Sequence, residues 1–247
     1  MSRVWVVIKR FGRLIRFAFF CLVFSIVIFF TWRAFSTGIP KELKNLTPND
    51  KLKEAYEQKG ENLYIFTQKY DPITRAERNE GYFSVPKAVF IPDANQAQIV
   101  FRYNKSTLRS VAKDYELSSV PSRDEELFDV TLVLYIDLTP ENKEDTYDSD
   151  NKDIKTVTVH ATAKESEKST LYNFYRYVFE FDKADEPVDI AKLIENGSLI
   201  YVQTHVYYKD DIDYTKPAYG AIRIYDARVD KKQVKLTKAD KKIFEKE

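Results

Sequence analysis

Residues 130–138, VTLVLYIDL, decide the fold class. Val130, Leu132, Leu134, Ile136 and Leu138 fall on one side of an extended chain, and Thr131 and Asp137 fall on the other. That period of two belongs to a strand with one apolar face. Residues 155–164, KTVTVHATAK, repeat it, with Val157, Val159 and Ala161 set inward and Thr156, Thr158, His160 and Thr162 outward.

Working outward, residues 63–68, 82–91, 97–103, 171–182, 199–209 and 219–229 have the same alternation or the same enrichment in β-branched and aromatic side chains. Pro86 disrupts the second of these. The expected fold is all-β, an antiparallel Ig-like sandwich of about eight strands, each with one wet face. Short helices are expected at four places. One follows Thr47 as N-cap with Pro48 and Asp50, and ends at Gly60; the others lie near 107–115, 186–196 and 237–247. With only six glycines, few connections can be tight turns. The organisation reads as a basic tail (1–16), a membrane signal anchor (17–37), a juxtamembrane linker and helix (38–60) and one β domain (61–247), without internal repeats.

Residues 17–32, FAFFCLVFSIVIFFTW, carry no charge. Sixteen residues span roughly 24 Å as a helix, and apolar flanks with snorkelling arginines extend this towards the roughly 30 Å needed. Arg3, Lys9, Arg10, Arg13 and Arg16 precede the span, which puts the N-terminus in the cytoplasm and the rest outside. On a helical wheel these five oppose Val4, Val7, Ile8, Phe11, Leu14 and Ile15, the pattern of an interfacial helix. Trp5, Arg10, Arg13, Arg16, Trp32 and Arg33 are the expected membrane-interface residues, and the lipid bilayer is the first expected partner. A cleaved signal peptide is the rival reading, and Arg33 and Phe35 beside the Ala34–Ser36 site argue against it.

Beyond residue 40 the chain has 33 basic and 38 acidic residues, a net of −5 with no basic stripe, which excludes nucleic acid as a partner. The one cysteine, Cys21, lies in the span, so the outer domain has no disulfide. That favours a bacterial envelope, Gram-positive among the choices, over a eukaryotic secreted context.

Three groupings bear on chemistry. Asp145, Asp148, Asp150 and Asp153 offer oxygen ligands in one loop, a calcium reading against the plainer one of a solvated acidic loop; the glycine and distal Glu of an EF-hand are missing. His160 and His205 are too few for a zinc site without carboxylates. The strand at 171–182 carries aromatics on both faces. Tyr175, Tyr177, Phe179 and Phe181 form one face, and Tyr172 and Phe174 form a second that is either covered core or a partner surface. GxSxG, SxxK, P-loop and HExxH patterns are all missing. The expected function is a single-pass envelope protein whose outer domain binds or scaffolds a membrane or envelope protein, without enzymatic activity or cofactor. The alternatives are a calcium- or glycan-binding sensor module and, behind it, an envelope hydrolase with carboxylates paired by folding.

Overall fold

The structure, a computed structural model, describes residues 2–68, 83–136, 155–195, 197–208, 211–212 and 219–244. The chain divides into two units, Met1–Gly38 with Ser169–Leu171, and Ile39–Lys168 with Tyr172–Glu247.

In the first unit, α1 (Ser2–Thr37) is one uninterrupted helix. Its segment Ile15–Arg33, 19 residues, is long and apolar enough to cross a membrane, at roughly 28 Å by helical rise. Its phenylalanines lie open, Phe17 at 68% exposure and Phe20 at 67%. Such a surface is stable against lipid rather than water.

The second unit is mostly antiparallel β. Its strands are β1 (Phe66–Gln68), β2 (Phe83–Ile91), β3 (Gln96–Asn104), β4 (Phe128–Ile136), β5 (Lys155–Lys168), β6 (Tyr172–Glu180), β7 (Leu199–Tyr208), β8 (Asp211–Ile212), β9 (Gly220–Asp226) and β10 (Lys231–Gln233). Each of the eight expected strands has a counterpart; β8 and β10 are too short to show a period. Pro86 is absorbed by a register shift between Ser84 and Lys87.

The Ig-like sandwich is not confirmed. The strands follow one hydrogen-bonded path, β10-β1-β2-β3-β6-β5-β4-β7-β8, with β9 also on β7. This path curls into a half-barrel and turns its corner in β5. The first half of β5 pairs with β4 up to His160↔Thr131 and the second half pairs with β6 from Ala161↔Phe179, with a register shift between Ala161 and Ala163 just past the changeover. The long β5 thus belongs to both walls, which Ig sheets do not share. Residues from both walls, such as Phe101 and Phe179 on one and Phe128, Leu132 and Val202 on the other, form one core cluster. Phe101 is a hub, 5.1 Å from Phe83, 5.8 Å from Phe128 and 6.3 Å from Tyr177 between ring centroids.

The curl is closed by side chains. Gln68, at the end of β1, donates to the carbonyls of Asp226 (2.7 Å) and Val229 (2.8 Å) and accepts from the Asp226 amide (2.7 Å). One residue on the first wall thereby fixes the turn after β9 on the second.

The helices cap and cover. α2 (Asp50–Lys59) begins two residues later than expected. Its N-cap is Asn49, extended in backbone, whose side-chain oxygen accepts from the Leu52 amide, and Thr47 lies outside the helix. Gly60 ends α2 at φ +56°, a conformation that glycine adopts without strain. α3 (Lys105–Asp114) starts with an Asn104–Thr107 capping box, α4 (Ile190–Glu195) is a short turn of helix, and α5 (Lys238–Phe244) is the terminal helix. The aromatic contact between Tyr56 and Phe244, 4.6 Å, joins α2 to α5.

Candidate functional site

Even-numbered positions of β3 and β6 face away from the core, and they read Gln96, Gln98, Val100 and Arg102 beside Phe174, Arg176, Val178 and Glu180. Alternation marks this face as wet. Instead, residues 39–49 lie across it as a strap. Leu43 packs with Val100 and Phe174, with Ile39 and Tyr172 at the margin. Leu46 joins Leu52, Leu63 and Ile65.

The strap's main chain is held by side chains of the sheet. The Thr47 amide donates to Gln98 Oε1 (2.8 Å) while Gln98 Nε2 donates to the Thr47 carbonyl (2.9 Å), a ladder rung made by a side-chain amide. Arg176 donates to the carbonyls of Glu42 (3.1 Å) and Asn45 and pairs with Glu165, and Lys87 Nζ donates to the Lys44 carbonyl (2.6 Å). Thr47 Oγ1 donates to Glu165 (2.8 Å), and Asn49 Nδ2 donates to Gln96 (2.9 Å) and Glu180 (3.2 Å). Thr47 is therefore fully engaged with the sheet, which is why it does not cap α2.

Charges in this seat are compensated. Burial lowers the Lys87 ammonium below its ordinary value and nearby Arg176 lowers it further, against the pull of Asp240. Burial works to raise Glu180, but hydrogen bonds from Lys183 and Thr162, with Lys183 and Lys51 as cations, outweigh it and leave the carboxyl below the usual range. Lys51 also pairs with Asp182.

The residues singled out in the sequence are distributed as follows. Phe174 is 0% exposed and Tyr172 half-buried, with the Arg102 guanidinium 4.7 Å from the Tyr172 ring. Phe174 lies beneath the chain's own strap, and Tyr172 lies at its margin. Asp145, Asp148, Asp150 and Asp153 lie outside the described residues. Arg16, Trp32 and Arg33 are exposed on α1, and Trp5, Arg10 and Arg13 fall on the same continuous helix. His160 sits opposite Thr131 and is exposed. His205 pairs across β4 and β7 with Asp129; burial lowers its imidazole and Asp129 works against that shift. Among the described residues no group of three or more His, Cys, Asp or Glu is placed to hold a metal ion.

Two further features had no clear signal in the sequence. A tyrosine cluster closes one end of the core. The Tyr103 and Tyr175 hydroxyls lie 3.1 Å apart, Asn173 Nδ2 donates to Tyr103 (3.1 Å), and Lys164 sits 5.0 Å from the Tyr175 ring. Burial pushes the Tyr103 and Tyr177 phenols well up, so both remain neutral. A hollow of about 340 Å³ lies beside α4. Ile136, Val157, Val188 and Leu193 line its apolar part and Lys155 faces Glu186 at 2.5 Å.

No family model, curated protein or solved structure matches the chain.

Proposed function

We propose that this chain is a single-pass membrane-anchored protein whose β domain stands outside the cytoplasm and binds or scaffolds other envelope proteins, with no catalytic activity of its own. One observation carries the reading: a fully exposed apolar helix of membrane-spanning length runs at once into a folded domain. The basic residues before the span and their scarcity after it support an inside N-terminus.

Topology is tested with the exposed loop residue Ser118, using Ser118→Cys beside the native Cys21. Labelling of intact cells by an impermeant maleimide at position 118 supports the orientation, and labelling only after lysis refutes it. Function is tested by in-cell crosslinking of the full-length protein beside a form with an unrelated span. A partner crosslinked to the β domain in both forms supports scaffolding. A partner lost with the native span moves recognition into the helix and basic tail.

A second reading, a ligand-binding module, is favoured by the hollow beside α4, whose size falls within the range of small-ligand sites. Calcium and glycans are the ligands to titrate. A calcium- or glycan-dependent rise in Tm of the full-length protein, removed by Glu186→Gln in the hollow, would favour that module over the scaffold.

A further inference from the structure

Asp240 is 5% exposed, and its two carboxylate oxygens serve different parts of the chain. Oδ2 accepts from the Thr237 amide (2.9 Å) and hydroxyl (2.6 Å), while the Asp240 amide donates back to the Thr237 hydroxyl (3.1 Å), closing the cap of α5. Oδ1 accepts from the Leu46 amide at 2.8 Å, across 194 residues of sequence. The strap and the terminal helix therefore share one buried anion.

We propose that Asp240 couples the juxtamembrane strap to α5, so that displacement of the strap, which continues directly from the membrane helix in sequence, is transmitted to the C-terminal helix. The physical argument is one of unsatisfied charge. Lifting the strap removes the Leu46 amide from Oδ1 and leaves a buried carboxylate oxygen without its donor, which is costly. The carboxylate regains a partner by turning towards water or towards the Lys87 ammonium freed from the Lys44 carbonyl, and such a turn disturbs its bonds to Thr237. The apolar contacts reinforce the link, because Leu46 belongs to a cluster against which Val234, Leu236 and Phe244 pack. The strap is held mainly by hydrogen bonds to side chains rather than by a strand ladder, so it can leave without breaking the sheet. The coupling is a property of the fold and does not depend on what the domain binds.

Hydrogen exchange on the full-length protein in lipid nanodiscs tests it. Leu43→Ala loosens the strap at its far end, in a cluster that contains no residue of 231–244. Exchange is expected to rise about tenfold in residues 42–47 and at least about threefold at the amides of residues 241–244, with β4 unchanged as the internal reference. With Asp240→Ala, both segments exchange faster, and adding Leu43→Ala then speeds the strap further without further effect on α5. If either variant loses protection in β4, Leu43→Val and Asp240→Asn provide the same comparison with less disruption. A loosened strap with α5 exchange unchanged overturns the proposal. So does a response of α5 to Leu43→Ala that is equally large without the Asp240 carboxylate.

Discussion

Gln68→Ala isolates the closure of the half-barrel. Gln68 is 8% exposed and makes three short bonds to main-chain groups near β9, two as donor and one as acceptor. Truncation to Ala orphans the buried Asp226 amide, which costs about 1–3 kcal/mol. Each carbonyl that loses its donor adds about 0.5–1 kcal/mol, the smaller cost because carbonyls reach water more readily. A total of about 2–5 kcal/mol follows, large against a typical domain stability of about 5–15 kcal/mol. The assay is urea unfolding of the full-length protein in detergent, read by tyrosine fluorescence, with hydrogen exchange to locate the change in β1, β9 and the turn after it. Gln68→Glu sharpens the test. Its carboxylate still accepts from the Asp226 amide but faces two carbonyl oxygens and the Asp226 side chain, so its folded pKa rises above the ordinary value of about 4.3. A carboxyl raised on folding is least destabilising below its unfolded pKa and loses stability as pH climbs through the folded one. The deficit relative to wild type must therefore be smallest below about pH 4 and largest at neutral pH. A Gln68→Ala protein within about 0.5 kcal/mol of wild type, with exchange at the β9 turn unchanged, would refute closure by this side chain.

Further outcomes follow from the same structure. Asn49→Ala removes the cap of α2 and two bonds to the sheet, and is expected to cost about 1–3 kcal/mol with faster exchange across Asp50–Lys59. Phe174→Ala empties a fully buried site and is expected to cost about 3–5 kcal/mol in chemical unfolding, where an exposed partner surface would give less than about 0.5 kcal/mol. Asp226 and Glu180 are held below their ordinary values of 3.8 and 4.5. Their stabilisation is therefore complete above those values and lost as pH falls through the lower folded ones, and Asp226→Asn flattens that acid limb in a Tm-versus-pH series. His205, lowered by burial, gives a drop of the same sign beginning as pH falls through 6.5. His205→Gln removes that drop.

The β-rich class was legible because β4 and β5 place Val130, Leu132, Leu134, Val157 and Val159 on one side, and all five are core residues. The terminal helix was legible from Thr237, its cap. The sheet path was not. Alternation in β5 fades after Ala161 into Lys164, Glu165, Ser166, Glu167 and Lys168, so the sequence pattern stops where the strand changes partners. Period two specifies which face a residue occupies, not which strand it pairs with or how far the sheet curls. The cap of α2 was misplaced because Thr47 and Asn49 have equivalent capping chemistry in sequence. Only the Gln98 and Glu165 partners of Thr47 separate them.

The strap's seat was hidden for a more general reason. Period-two alternation sorts side chains by polarity, and polarity is read as exposure. On the outer face of β3 and β6 the polar residues include Gln96, Gln98, Arg102, Arg176 and Glu180, all long and all rich in hydrogen-bonding groups. Gln98 and Arg176 are buried beneath a main chain without its own ladder and offer it what a neighbouring strand would have offered, while Gln96 and Glu180 accept from the Asn49 side chain. Short serines or threonines at the same positions would lack the reach. The combination of a Gln-x-Gln strand, an Arg opposite it and a proline-interrupted segment just after a long apolar helix is therefore a readable pattern for a docked strap. Replacing Gln98 by Thr tests the point, because it preserves polarity and β propensity but shortens the reach. If polarity alone sufficed, exchange at the Thr47 amide would stay slow. The geometry requires it to accelerate by about an order of magnitude, since the amide at 2.8 Å loses its acceptor.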